Sequence, residues 1–244
     1  MYGRLVFGAS AVLLGVVSIV WRGSDMWQHL AAIPSAERTV VAWCLALAQI
    51  AGGIGVLQAR TARTGAVMLG VVYVVFSLQI IPDIAAAPAA YGRYGNFFDV
   101  FSLVCGALAV YAVTQRRARA LRLGAAARIG FGVCALSFAA AQVAYLQYTA
   151  SLVPTWIPLG GVFWTNVTTA AFALAGIALL LDRFAGLASW LLGLMVVLFG
   201  IIVWLPRLVA HSSGLGDWSE FAETFLVAGA AWAVAEARAP NRTR

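Results

Sequence analysis

Eight apolar runs occupy most of this chain of 244 residues, at about 3–21, 39–59, 65–82, 97–114, 127–147, 163–181, 186–205 and 220–237. A helix needs roughly 20 apolar residues to cross the hydrocarbon core of a bilayer. Inside that core only a helix or a closed barrel satisfies its own backbone polar groups. Runs of this length therefore predict an all-α polytopic membrane protein with eight transmembrane helices and the lipid bilayer as its first partner. The first run follows Arg4 as the core of a signal peptide would. Its counterpart near residue 128 is internal, so it is read as a retained helix.

The gaps carry the charge. All 16 basic residues are arginine, and the formal charge is +7. A basic balance can mark nucleic-acid binding, but arginines confined to the gaps between spans act as topology signals. Arg4, Arg60, Arg63, Arg116, Arg117, Arg119, Arg122, Arg128, Arg183, Arg238, Arg242 and Arg244 fall on one side, against Arg22, Arg38, Arg93 and Arg207 on the other. The excess places both termini in the cytoplasm of a bacterial-type plasma (inner) membrane, with no nucleic-acid partner. The outer connections, at 22–38, 83–96, 148–162 and 206–219, are then the long ones, and loop length marks that face for specialised structure.

Sliding the chain by 124 residues without a gap brings Arg4 onto Arg128, Phe7 onto Phe131, Gly8 onto Gly132 and Gly52 onto Gly176. It also brings Ile33-Pro34 onto Ile157-Pro158, Pro82 onto Pro206, Phe97 and Phe101 onto Phe221 and Phe225, and Asp99 onto Glu223. This register predicts two four-helix bundles in tandem: a first repeat at 1–115, an Arg-rich cytoplasmic linker at 116–127, a second repeat at 128–238 and a cytoplasmic tail at 239–244. Four spans is an even number, so the repeats enter the membrane in the same direction, unlike the inverted repeats of many secondary transporters.

The most organised stretch is Tyr94-Gly-Asn-Phe97-Phe-Asp99-Val-Phe101, repeated as Trp218-Ser-Glu-Phe221-Ala-Glu223-Thr-Phe225. On a 3.6-residue helix Tyr94, Phe97 and Phe101 share one face. Asp99 lies nearly opposite, in line with Asn96 and Gly106, and Glu220, Glu223 and Ala230 repeat that second face. A carboxylate near a membrane end faces protein or water rather than lipid. The acid–small face is therefore expected to point inward, and the aromatic face outward or along a neighbour. Asp99, Glu220 and Glu223, with Asn166 and Thr168 at similar depth and Trp164 and Trp218 as aromatic caps, make the candidate ligand site: a water-facing cleft in each half. Arg207 is the expected partner of Glu223 or Glu220, and Arg93 that of Asp99. A plainer reading stands beside this one: an acid in the first turn of a helix favours the positive end of the dipole, and aromatics gather at membrane interfaces. Gln49, Gln58 and Gln79 read as interhelical hydrogen-bonding residues. Cys44, Cys105 and Cys134 read as small core residues, and His29 and His211 as solvated loop residues. The sequence contains no catalytic triad, phosphate loop or metal-ligand spacing.

The stretch Arg128–Ala235 resembles the DoxX-like family of four-helix membrane proteins. The resemblance rests on Arg128-Ile-Gly-Phe-Gly, Val153-Pro-Thr-Trp156-Ile-Pro158, Phe163-Trp164, Leu205-Pro206-Arg207, and Trp218 with Glu223. Where relatives often carry a His two residues before Pro-Arg, this chain has Trp204, and the first half lacks the VPxWxP string. The resemblance implies a small membrane bundle linked to sulfur and quinone redox chemistry or oxidative-stress complexes. The expectation is an accessory or binding protein for a small hydrophobic molecule or a partner subunit at the outer face. Two alternatives stay open: a membrane subunit of a quinone- or thiol-linked redox system, with quinone as a possible cofactor, and a small-molecule transporter.

Overall fold

The computed structural model describes residues 2–20, 35–211 and 214–238. Pro34, His29, Arg22 and Asp25, and the tail 239–244, lie outside the described residues. The chain is all-α: α1 (Tyr2–Val20), α2 (Ser35–Leu57), α3 (Ala62–Ala86), α4 (Tyr91–Val113), α5 (Arg117–Ala144), α6 (Leu146–Leu152), α7 (Gly160–Leu180), α8 (Ala185–Phe199), a π-helical turn (Gly200–Trp204), α9 (Leu205–Ala210) and α10 (Leu215–Arg238). Among the described residues seven helices are long and apolar enough to cross a membrane, the last running through the π turn from Ala185 to Ala210. The protein is a multi-pass membrane protein.

The eighth expected run forms α10. It has the length of a span at 24 residues, but Asp217, Glu220 and Glu223 in its first turns lower its apolarity. It is also enclosed: α1, α4, α5 and α8 pack around it, and Ala222, Leu226, Ala228, Ala230 and Ala231 are fully buried. A helix wrapped by other helices has little need of a lipid-compatible surface.

Three local differences from the sequence reading have physical causes. Where residues 116–127 read as a linker, the chain is helical from Arg117, because an Ala- and Arg-rich segment has high helix propensity. Pro82 does not end α3, which continues for one more turn to Ala86. The segment around Pro206 is also helical. Proline removes a backbone donor and crowds the carbonyl four residues earlier. Here the wide π turn accommodates it, with Leu205 N–H reaching back to the Gly200 carbonyl.

The helices pack in matching pairs. α1 lies against α2 and α10, and α5 lies against α7 and α4. α3 flanks α4 as α8 flanks α10, and α4 and α10 pack on each other. That last seam is tight: a Cβ on Gly106 would lie 2.5 Å from the Ala230 Cβ. Small residues let helix backbones approach closely where lipid supplies no hydrophobic drive for association.

The α2–α3 and α7–α8 hairpins differ. Gly55 and Gly65 let α2 and α3 touch backbone to backbone, since a Cβ on Gly55 would lie 3.0 Å from the Gly65 Cα. The residues 124 positions later are Leu179 and Ser189, both fully buried, and Ser189 donates instead to the Ala231 carbonyl of α10 at 2.6 Å.

Candidate functional site

The acid–small faces of α4 and α10 turn inward, and they meet. Asp99 and Asn96 from α4, and Glu220 and Glu223 from α10, line one central cavity of about 500 Å³. The expected arrangement was one cleft in each half. The single shared cavity arises because the small residues further along the same faces, Gly106 and Ala230, pack on each other. Each helix thus presents its carboxylates to the other.

The far wall is aromatic. Phe138 meets Phe172 edge-on at 5.5 Å, and Phe172 lies 6.2 Å from Phe199. The start of α4 is tied to α5 on this side. The Tyr91 hydroxyl lies 3.0 Å from the Ser137 carbonyl, and Gly92 N–H donates to the Tyr145 hydroxyl at 2.8 Å. No lysine or arginine lines the cavity. Among the described residues no three His, Cys, Asp or Glu side chains are placed to share one metal ion. Such a space can hold water and concentrate small cations by its charge.

The aromatic seams run along neighbours. Phe97 stacks on Phe101 at 5.6 Å, and Phe221 lies 4.9 Å from Phe225. The Phe225 ring occupies the space beside Gly200 in the π turn, where any Cβ would collide with it.

Arg207 does not reach the cavity. It pairs with Asp217 at 3.4 Å and lies 5.4 Å from the Trp204 ring. Arg93 likewise pairs with Asp83 at 3.4 Å rather than with Asp99. Each arginine meets an acid ten residues away, across the connection that joins consecutive helices. The two bridges occupy positions 124 residues apart with their charges exchanged.

Asn166 is exposed on α7 and lines neither hollow. Trp218 packs against Phe221 at 6.5 Å, outside the cavity lining. Trp164 belongs to a second hollow. Its indole N–H donates to the Pro158 carbonyl at 2.8 Å, pinning the VPTWIP segment over the start of α7. Gly161 permits the close approach of α6, since a Cβ there would strike the Ala150 carbonyl.

Beneath this segment lies a pocket of about 400 Å³, lined by Trp164, Trp204, Met195, Ile202 and other apolar side chains and by no charged residue. Gln142 and Phe199 line both hollows and form the wall between them. The Gln142 amide oxygen lies 3.1 Å from the Thr168 hydroxyl and 2.8 Å from that of Thr169. Thr165, 1% exposed, also lines this pocket, and its hydroxyl meets no hydrogen-bond partner among the described residues.

Sequence reading missed Gln142 and Thr165. Gln142 is a single polar residue in an apolar run, and Thr165 stands in a polar cluster with Asn166, Thr168 and Thr169 from which sequence does not single it out. Gln49 of α2 lies beside the Tyr73 hydroxyl of α3, and the Gln79 amide oxygen is buried without a partner among the described residues. Cys105 and Cys134 are buried as expected, whereas Cys44 is exposed.

Comparison of the chain with protein-family models, with curated proteins and with solved structures returns no match.

Proposed function

We propose that this protein is a DoxX-like accessory or binding protein that holds a small hydrophobic molecule at the outer face of a bacterial-type inner membrane. The observation that carries this reading is the uncharged pocket under the VPTWIP segment. Its volume and its lining, apolar with a few polar groups, match those of small-molecule sites. The π turn that supplies Ile202 and Trp204 belongs to a class of helix irregularity frequent at functional sites. On this reading α10 is the eighth span, both termini are cytoplasmic, and the chain is two four-helix repeats. Three features support the duplication: the paired packing of the helices, the meeting of Gly106 with Ala230, and the charge-exchanged bridges.

The test is mass spectrometry of small molecules retained by the full chain purified with native lipids. A hydrophobic compound present in stoichiometric amount, and lost on Ile202→Trp, is the expected result. Retention unchanged by that substitution would place the ligand elsewhere.

The central cavity favours a second reading, a small-molecule transporter, because its three carboxylates sit on the α4–α10 seam. Uptake of a small organic cation into proteoliposomes, abolished by Glu223→Gln, would establish that reading over the first.

A further inference from the structure

At one end of the bundle the two segments neutralise their arginines differently. Beside the α7–α8 turn Asp182 lies 2.8 Å from Arg238 and 3.5 Å from Arg128, so both have a counter-ion within the chain. The residue 124 positions before Asp182 is Gln58. Around the α2–α3 and α4–α5 turns Arg60, Arg63, Arg116, Arg117, Arg119 and Arg122 are exposed. None of them pairs with an acid among the described residues.

Two of these arginines converge. Arg63 in the first turn of α3 and Arg119 in the first turn of α5 each place the guanidinium carbon 5.9 Å from the centre of the Tyr111 ring, near the end of α4. Like charges are thus held at one ring. A base in the first turn of a helix also opposes the dipole, whose positive end favours anions, and neither α3 nor α5 has an acid in that turn. Positive charge from two side chains and two helix starts collects at one corner, and an anion from outside the chain is what would offset it.

The surroundings say which anion. α3 and α4 are apolar enough to cross a membrane, so Arg63 and Tyr111, at their ends, stand at headgroup depth. Below Arg63 on the same face of α3, at steps of three and four residues, come Val67, Val71, Val74 and Leu78, each at least 40% exposed. Below Tyr111 come the half-buried Leu108 and Val104 of α4. A free phosphate would use the cations but not the apolar stripe; a phospholipid uses both.

We propose that this corner binds an anionic phospholipid, its phosphate shared by Arg63 and Arg119 and one acyl chain lying along the α3 stripe. Tyr111 is a positioning residue, its ring face holding the two guanidiniums together before the lipid arrives. The corresponding corner of the second segment has Leu187 and Ala235 in place of Arg63 and Tyr111, so each chain carries one such site. It lies at the opposite end of the bundle from the uncharged pocket, and the two can fail separately.

The test is binding of dioleoyl phosphatidylglycerol to the full chain in detergent at fixed ionic strength, read by native mass spectrometry. Arg63→Gln/Arg119→Gln is expected to weaken the first binding event about thirtyfold, at about fivefold for each arginine. Arg183→Gln/Arg238→Gln removes the same charge from the same end of the bundle and should stay within about threefold of the native chain. These arginines are exposed, so neither double variant should unfold at a much lower temperature. Tyr111→Phe keeps the ring face and should bind as the native chain does, whereas Tyr111→Leu should lose about threefold. Dioleoyl phosphatidylcholine, whose phosphate is neutralised by its own choline, should bind about tenfold or more weakly than phosphatidylglycerol.

Equal losses in the two double variants would reduce the effect to net charge and overturn the site. Native affinity in Arg63→Gln/Arg119→Gln or in Tyr111→Leu, or equal affinity for phosphatidylcholine, would overturn it as well. Displacement of the lipid by inorganic phosphate at the same concentration would show a soluble-anion site in place of a lipid site.

Discussion

The α1–α4 segment and the α5–α10 segment pack their helices in the same order, yet among the described residues their hollows differ in place: between α1 and α2 in the first, between α7 and α8 in the second. In the first, Gly55 and Gly65 bring α2 and α3 into backbone contact. In the second, Leu179 and Ser189 fill the corresponding positions, Ser189 bonds to α10, and a groove remains between α7 and α8. The difference teaches that a lateral hollow can arise where a few interface side chains differ while the helix order stays intact. The seam between α4 and α10 shows the converse. There both segments contribute polar groups at matching positions, and the outcome is one cavity that belongs to neither.

The sharpest way to break this comparison is to give the first hairpin the bulk of the second. A Cβ on Gly65 would lie 2.5 Å from Val56 N and 2.6 Å from the Gly52 carbonyl. These are backbone atoms that cannot move aside cheaply. Gly65→Leu should cost about 3 kcal/mol, at the upper end of overpacking. Ser189→Gly should cost about 1–2 kcal/mol, for a lost hydrogen bond and a helical glycine. Thermal unfolding in detergent checks both. Equal costs would mean that the two hairpins are packed alike after all.

A smaller effect tests the shared cavity. In a Cys44→Ala background, Asn96→Cys and Glu220→Cys should both react with a cationic methanethiosulfonate about tenfold or more faster than with an anionic one. The remaining carboxylates concentrate the cation at either position. Labelling at only one of the two, or no charge preference, would break the single cavity into two separate surfaces.

The smallest effect is at the bridges. Arg207→Asp should cost about 0.5 kcal/mol, since Arg207 is half-exposed and surface pairs contribute little. Adding Asp217→Arg should recover most of it, reproducing the polarity of Asp83–Arg93. Chemical denaturation of the three variants measures the coupling. An absence of recovery would show that the connection depends on Arg207 itself, through its contact with Trp204.

Much of this architecture was legible beforehand. Apolar run length located the seven helices able to span, because lipid forces the backbone to bond within each segment. Helical periodicity put Asn96, Asp99 and Gly106 on one face and Glu220, Glu223 and Ala230 on another, and both faces turn inward. Periodicity names a face but not its partner, so the meeting of the two faces in one cavity was not legible. Membrane depth alone points Arg207 toward Glu223 or Glu220. Asp217 is nearer along the chain, and the turn between α9 and α10 brings it closer still. Asn166 is the most visible polar residue near the start of α7, yet its neighbours Thr165 and Thr168 line the pocket. One residue step turns a helix by about 100°, and nothing in an apolar stretch fixes its rotation.

The exchanged bridges bear on how such a chain can change over time. Asp83 and Arg93 hold one connection, and Arg207 and Asp217 hold the other with the signs reversed. A single residue copied from one connection into the other sets like charge against like; copying Arg207 over Asp83 leaves two arginines facing each other. Only an exchange that carries both members of a pair is silent. Exchange of residues between the two connections is therefore tolerated in blocks that span the whole turn and penalised in shorter ones. Chimeras built to graft the pocket of one half onto the other should place their junctions outside residues 83–93 and 207–217.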